Sequence, residues 1–157
     1  MELKRASEKD ADTIWNMQIE AFADLLAKYE DYDISPGNES LERIEQKIQQ
    51  PCTYFYYIAE GNDIVGAIRV VDWKDGRRKK ISPLFIMPEH RNKGYAQQAI
   101  KEAEILHGKD NWKLDTILEE AGNCYLYEKM GYHKTGQTEV INDKMTIVYY
   151  EKTLNTL

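Results

Sequence analysis

The segment between residues 81 and 106 restricts the possible folds of this chain more than any other. It begins with an apolar run at residues 84–86, typical of a buried strand, and continues through Pro88 into a basic loop at residues 91–96. The residues that follow have helical periodicity, with Ala96, Ala99, Ile100, Ala103 and Leu106 on one face and Gln97, Gln98, Lys101, Glu102 and Glu104 on the other. The pattern predicts a strand, a loop and a helix, which Gly108 ends.

The loop at residues 91–96 has features of a phosphate-binding site. The first N–H groups of a helix have no helical partner, and the helix dipole adds partial positive charge there. Gly94 allows a bulky anion to approach the backbone, Ala96 is nearly as small, and Arg91 and Lys93 add charge. A solvated loop with a basic flank is the alternative, because one glycine and two basic residues are a weak signal. The loop matches neither a Walker A sequence nor the Gly-x-Gly-x-x-Gly dinucleotide turn.

The composition indicates one globular domain that spans residues 1–157. Apolar residues make up 42% of the chain and charged residues 31%, and the apolar runs are too short to span a membrane. The first residues lack a signal-peptide core, so we expect a cytoplasmic protein without a membrane partner. The net charge of -6 argues against nucleic acid as a partner. Cys52 and Cys124 are expected to be free thiols, and no Cys or His spacing suggests a metal.

Turn formers and periodicity divide the rest of the chain into further elements. A helix is predicted after the N-cap residue Ser7, and a second one at residues 39–50, beyond an acidic, tyrosine-rich loop. Strands are predicted at residues 2–6, 54–60, 64–73, 79–87, 112–118, 132–139 and 145–152, with a helix at 119–130 and a hairpin turn at Asp75-Gly76. A helical crossover should make strand 112–118 parallel to strand 79–87. The basic residues 77–80 are interpreted as a solvated hairpin edge, with a contact to a phosphate or an acidic partner as the alternative.

Two motifs in the expected order resemble the GNAT superfamily of N-acetyltransferases. The sequence Arg91-x-x-Gly94-x-Ala96 after a strand resembles the acyl-coenzyme A loop of that superfamily. The second motif is Leu126-Tyr127-Glu128-Lys129-Met130-Gly131-Tyr132. The resemblance implies an α/β fold with a mixed, mostly antiparallel sheet and helices on both faces. Its fourth and fifth strands are parallel and splayed, with acyl-coenzyme A between them.

The resemblance also implies a set of site residues and a cosubstrate, acetyl-CoA. The residues expected to bind it are Leu84, Phe85, Ile86, Arg91, Asn92, Lys93, Gly94, Tyr95, Ala96 and Asn123. The family often has an asparagine where this chain has Glu120, and Asn123 is the expected replacement. A backbone N–H near Phe85 or Ile86 is expected to polarise the thioester carbonyl.

The chemistry implied is transfer of an acetyl group to a primary amine by direct attack in a ternary complex. Tyr127 is the candidate general acid for the departing thiolate, and simple packing of its ring is the alternative. A base must deprotonate an amine that resembles lysine, and Glu20, Asp24 and Asp72 are weak candidates. Cys124 has no paired histidine in sequence reach, so we expect it only to pack.

Several alternatives remain open at this point. The chain could be a catalytically silent acyl-CoA-binding or interaction module, and a nucleic-acid-associated protein using residues 77–80 is a third, disfavoured class. The acceptor is a small-molecule or peptide amine: a polyamine, aminoglycoside, amino acid or protein amine. The acidic, tyrosine-rich residues 29–33 favour a cation. The sequence leaves a homodimer open.

Overall fold

The computed structural model describes residues 1–154 as a seven-stranded sheet with helices packed against it. The strands are β1 (Glu2–Arg5), β2 (Thr53–Glu60), β3 (Asp63–Val71), β4 (Lys79–Ile86), β5 (Trp112–Ile117), β6 (His133–Asn142) and β7 (Met145–Lys152). The helices are α1 (Ala11–Tyr29), α2 (Leu41–Gln49), α3 (Tyr95–His107) and α4 (Ala121–Lys129). The strand order is β1-β2-β3-β4-β5-β7-β6, with β4 and β5 parallel and all other neighbours antiparallel. No helix within residues 1–154 is long and apolar enough to cross a bilayer.

Helices cover both faces of the sheet, which confirms the predicted fold class. Successive side chains of a strand point to opposite faces. On β2, Tyr56 and Ile58 pack in the cluster that contains α3 and α4, whereas Phe55 packs with Ile14 of α1 and Ile44 of α2. The sheet therefore separates two apolar layers, one under each pair of helices.

Local sequence signals place most helix ends within a few residues of their predicted positions. The Ser7 backbone N–H donates to Asp10 Oδ2 at 2.8 Å, although a short 3₁₀ turn at Glu8–Asp10 precedes α1. Ser40 caps α2 by accepting from the Arg43 backbone N–H at 3.2 Å. The predicted Asp75-Gly76 hairpin is a longer connection, because β3 ends at Val71 and β4 begins only at Lys79.

The parallel strands β4 and β5 separate soon after they begin. They pair only at Lys79 with Trp112 and at Lys80 with Lys113. Beyond these pairs β4 stays bonded to β3, and β5 stays bonded to β7. The register of β3 against β4 shifts between Ile68 and Val70, and Pro83 in β4 has no N–H to donate. The predicted splay is therefore present, and it opens toward the C-terminal ends of the two strands.

The interpretation of residues 77–80 as a solvated hairpin edge is wrong for Arg78 and Lys80, whereas Arg77 is exposed and pairs with Asp75 of the same connection. Arg78 pairs with Glu151 at 3.2 Å and donates to the carbonyl of Lys152 at 3.2 Å, while Lys80 lies 3.7 Å from Asp115. These contacts join the start of β4 to β5 and β7. The crossover rule predicts β5 as the second neighbour of β4, but the sequence does not show which charged side chains of β5 and β7 meet these basic residues.

A buried polar chain lies at the end of the sheet where β4 and β5 still pair. His107 Nδ1 lies 2.8 Å from Asp72 Oδ2, and its Nε2 lies 2.8 Å from the Tyr56 hydroxyl. The His107 side chain is only 4% exposed. Burial lowers the pKa of His107, and this effect outweighs the opposing attraction of Asp72. The folded protein therefore favours the neutral imidazole.

We expect His107 to make stability depend on pH. Its folded-state pKa lies below that of an unfolded histidine, about 6.5, so the unfolded chain takes up this proton first as the pH falls. Stability contributed by His107 is thus present above about pH 6.5 and is lost as the pH falls through the folded-state pKa. Urea unfolding of wild type and His107→Gln between pH 7.5 and pH 5 should show a weaker pH dependence in the variant. The variant should also lose about 1–3 kcal/mol at pH 7.5.

The matched control is His133→Gln, because His133 is exposed at the start of β6. This variant should keep the wild-type pH dependence. An unchanged pH dependence in His107→Gln would show that another group causes the loss of stability in acid.

Candidate active site

The gap between β4 and β5 opens into a cavity of about 590 Å³, called here the loop cavity. Ten of the eleven residues predicted for the site line it: Leu84, Phe85, Ile86, Arg91, Asn92, Gly94, Tyr95, Ala96, Asn123 and Tyr127. Lys93 is exposed and does not belong to the wall. The helix α1 adds Ala21, Phe22, Asp24, Leu25 and Lys28, of which the sequence reasoning named only Asp24, as a weak base candidate. Their positions depend on how α1 packs against β4, which has no local sequence signal.

The loop before α3 presents unpaired backbone donors to this cavity. Asn92 and Gly94 both have left-handed backbone angles, with φ of 63° and 82°. Gly94 is the N-cap of α3 and no side chain caps it, so the N–H groups of the first turn have no helical partner. Such an alternation of backbone conformations forms a concave nest of N–H groups that suits an anion. A Cβ on Gly94 would approach only the Gln98 side chain, at 3.9 Å, so lack of space does not require glycine here. The positive φ of Gly94 is the reason for glycine.

The guanidinium N–H groups of Arg91 bond to backbone carbonyls of the protein, although they were expected to face a phosphate. Its Nε donates to the carbonyl of Ile86 at 3.0 Å, and its Nη2 donates to the carbonyl of Ala21 at 2.7 Å. A longer contact of 3.9 Å reaches Asp24. The guanidinium therefore ties the end of β4 to α1, and the backbone N–H groups remain as the main anion donors of the loop.

The backbone of β4 offers free groups to the gap at alternate residues. The Met87 N–H donates to the Val65 carbonyl of the β3 side at 2.8 Å. In an antiparallel pair these bonds alternate along the strand, so the N–H of Phe85 also points toward β3. The N–H groups of Leu84 and Ile86 therefore point into the gap. The side chain of Phe85 packs its ring edge-on against the ring of Phe22, with 5.7 Å between the centroids.

A second cavity of about 300 Å³, called here the acidic cavity, adjoins the first. Phe22, Leu25, Leu84, Asn123 and Tyr127 line both cavities. The charged residues of the acidic cavity are Asp31, Asp115, Glu139 and Lys80. Its walls come from the connection after α1, from the facing parts of β4 and β5, and from β6 and β7.

Tyr127 lies at the junction of the two cavities with a free hydroxyl. The side chain is buried, and none of the hydrogen bonds within residues 1–154 involves its hydroxyl. Its neighbours Tyr132 and Tyr150, each 6.2 Å away between ring centroids, do have partners, namely Glu104 at 3.2 Å and Glu128 at 2.7 Å. Burial, with a smaller effect of the Asp115 charge, raises the pKa of Tyr127. It is therefore a protonated donor at neutral pH.

Glu120 connects α4 to α1 beside the loop cavity. Its Oε2 accepts a short hydrogen bond from the Tyr29 hydroxyl and pairs with Lys28 at 2.9 Å. The carboxylate thus has two protein partners. Asn123, one turn later, lines both cavities.

The three base candidates lie outside the acidic cavity. Asp72 is bound to His107 at the other end of the sheet, Glu20 is exposed, and Asp24 lies near Arg91 with most of its side chain in solvent. The buried acid of the acidic cavity is Asp31, which the sequence presents only as one of several acids in a loop. Cys124 is buried, with its thiol 3.8 Å from the carbonyls of Ile117 and Leu118, and it lies in the core cluster.

Comparisons with known proteins agree with this geometry. A sequence model described as an acetyltransferase (GNAT) domain matches residues 25–154. A search of curated proteins finds no match. Among solved structures, the PaiA N-acetyltransferase of Thermoplasma acidophilum, in complex with coenzyme A, has a TM-score of 0.75 at 17% identity and covers 98% of both chains.

Two further solved structures have the same fold. The spermidine N-acetyltransferase of Vibrio cholerae, in complex with CoA and spermine, has a TM-score of 0.74 at 17% identity, covering 96% of this chain and 94% of that one. A streptothricin acetyltransferase from Bacillus anthracis, described as putative and in complex with acetyl coenzyme A, has a TM-score of 0.58 at 20% identity. It covers 70% of this chain and 67% of that one.

Proposed function

This chain belongs to the GNAT family of acetyltransferases, and from that premise we propose that it transfers an acetyl group from acetyl-CoA to a primary amine by direct attack in a ternary complex. The observation that carries this proposal is the position of Tyr127. A buried tyrosine with a free hydroxyl lies where a cavity bordered by an anion-binding loop meets a cavity bordered by acids. This is where a thiolate leaving group and an attacking amine would have to meet.

The cosubstrate is acetyl-CoA, and the loop cavity has groups suited to each of its parts. The uncapped N–H groups at the start of α3 suit its phosphates. The free backbone edge of β4 at Leu84 and Ile86 can bond the amides of pantetheine, as an added strand would. The coenzyme A or acetyl-CoA in solved structures of the same fold supports this assignment.

Activation of the thioester requires a donor near its carbonyl oxygen. The N–H groups of Leu84 and Ile86 point into the gap, whereas that of Phe85 is used by β3. We therefore assign the polarising donor to Leu84 or Ile86, the same role that backbone donors have in an oxyanion hole.

Tyr127 is the general acid that protonates the departing sulfur. The pKa of Tyr127 is raised in the free protein, which makes it a weaker acid. A thiolate that forms in the same poorly solvated place is destabilised by the same cause, so its own proton affinity rises too. The difference between the two affinities decides the transfer, and shared burial leaves that difference small.

The acceptor is a small molecule with positive charge. The acidic cavity is small, and acids outnumber bases on its wall. The spermidine N-acetyltransferase among the structures of the same fold, which is bound to spermine, acts on a molecule of this kind and supports the proposal.

Gly94→Val tests the role of the loop. A β-branched residue is strained at a φ of 82°, so the first turn of α3 should shift and its N–H groups should lose their alignment. Acetyl-CoA binding, measured by calorimetry, should weaken by about 10-fold or more. The control is Gly136→Val, which has a similar φ of 93° but lies on β6 with nothing within 4 Å of the added Cβ. It should bind normally, and an unchanged Kd in Gly94→Val would remove the loop from the site.

Tyr127→Phe tests the general acid. The variant should lower kcat by about 100-fold while the Kd of acetyl-CoA stays within about twofold, because only the proton donor is lost. Thiol release against a panel of primary amines gives the rate. The control is Tyr125→Phe, since Tyr125 lies on the same helix but is 69% exposed. Full activity in Tyr127→Phe would assign proton delivery to water.

Tight acetyl-CoA binding by the wild type without turnover of any amine would instead support a silent binding module.

A further inference from the structure

Asp31 is a buried acid whose charge lacks a paired partner among the residues that the structure describes. It is 7% exposed, and its Oδ1 has no hydrogen-bond partner among residues 1–154. Burial raises the pKa of Asp31, against a smaller opposing effect of its own backbone N–H. A buried carboxylate without a partner destabilises a folded protein. Such a group is expected where a ligand supplies the missing partner.

The backbone holds Asp31 in this position. The N–H groups of Ile34 and Ser35 both donate to the Asp31 carbonyl, at 3.1 and 2.9 Å. The Asn38 side chain donates to the Tyr32 carbonyl at 2.7 Å. The carboxylate is therefore fixed in the wall of the acidic cavity by a turn that is itself well bonded.

The other charges of the acidic cavity already have protein partners. Lys80 pairs with Asp115 at 3.7 Å, and the Tyr149 hydroxyl donates to Glu139 at 3.0 Å. Three carboxylates thus line the cavity with one ammonium, and within residues 1–154 Asp31 is the one whose side chain has no partner. This excess of negative charge attracts a cation into a confined space.

The charge state of the reacting nitrogen decides which ammonium Asp31 can bind. An amine must be neutral to attack a thioester, and a neighbouring carboxylate would raise the pKa of that amine and keep it protonated. Asp31 therefore suits a nitrogen that does not react. Ile34, Pro83, Ile117, Met145 and Ile147 supply apolar wall in the same cavity, which suits a chain of methylene groups.

We propose that the acceptor is a diamine or polyamine, and that Asp31 binds its non-reacting ammonium while the other nitrogen attacks beside Tyr127. This inference rests on the acetyltransferase function proposed above. It makes Asp31 the residue that selects for a second positive charge.

A series of acceptors that differ only in the remote group tests the proposal. Wild-type kcat/KM should be highest for 1,4-diaminobutane, lower for n-butylamine and lowest for 4-aminobutanoate. In Asp31→Asn the KM for 1,4-diaminobutane should rise by about 10- to 100-fold, the loss expected for one charge-assisted hydrogen bond. The KM values for n-butylamine and acetyl-CoA should stay within about twofold.

Asp33→Asn is the matched control. It removes the same charge from the same loop, but Asp33 is exposed and does not line the acidic cavity. Its KM for 1,4-diaminobutane should equal that of the wild type. An equal rise in this KM in Asp31→Asn and Asp33→Asn would show that general electrostatic attraction causes the effect. It would overturn the assignment to Asp31.

Thermal unfolding separates binding from a structural role. An amide has no ionic desolvation cost, so the Tm of free Asp31→Asn at pH 7 should equal or exceed that of the wild type. A lower Tm with an equal loss of kcat/KM for all three amines would overturn the proposal.

Calorimetry of 1,4-diaminobutane binding to the CoA-loaded protein distinguishes failure of the diamine site from failure of the acetyltransferase function. Binding that requires Asp31, without turnover, would refute the acetyltransferase and keep the diamine site. Turnover with an unchanged KM for 1,4-diaminobutane in Asp31→Asn would refute the diamine site and keep the acetyltransferase.

Discussion

The separation of β4 from β5 determines how the backbone around both cavities is bonded. A strand that leaves its neighbour exposes backbone donors and acceptors that must find partners elsewhere. Each strand here is held firmly on its other side, β4 by β3 and β5 by β7. At Gly66 a Cβ would lie only 2.1 Å from the Phe85 carbonyl, so the close approach of β3 to β4 requires glycine. The gap is thus kept open by pairing on both flanks, with Arg78 and Lys80 closing its base.

The two groups assigned to chemistry and selection are both buried polar groups with unused bonding capacity. Around Tyr127 the other buried tyrosines have acidic partners, and around Asp31 the other cavity acids have protein partners. Most buried polar atoms in folded proteins are satisfied, so exceptions mark places where stability is given up for another purpose. Gln18 Oε1 and Arg69 Nε are further exceptions within residues 1–154, but neither residue lines the two cavities, whereas Asp31 and Tyr127 share the wall of the acidic cavity.

The sequence predicted what depends on local pattern. The strand, loop and helix between residues 81 and 106 follow from periodicity and from Gly94, and the parallel pairing of β4 with β5 follows from the crossover rule. Contacts between distant segments could not be obtained in this way. Arg78 and Lys80 bond to β7 and β5, and Asp31 shares a cavity wall with residues of β5, β6 and β7 that lie more than 80 positions away. Its charge is visible in the sequence, but its lack of a partner is a property of the fold alone.

The end of α1 contacts both the start of α4 and the connection between β6 and β7. Tyr29 donates through its hydroxyl to Glu120 at the start of α4, and its carbonyl accepts from Asn142 at the end of β6, at 2.8 Å. Glu30 pairs with Lys144 in the β6–β7 turn. Asp31 follows directly, so these contacts anchor the segment from which its turn begins. Because Tyr127 lies on α4, the acid proposed for the thiolate and the carboxylate proposed for the remote ammonium share one support. Glu120 lines the loop cavity and not the acidic cavity, yet its bond to Tyr29 links the helix that carries Tyr127 to the residues just before Asp31.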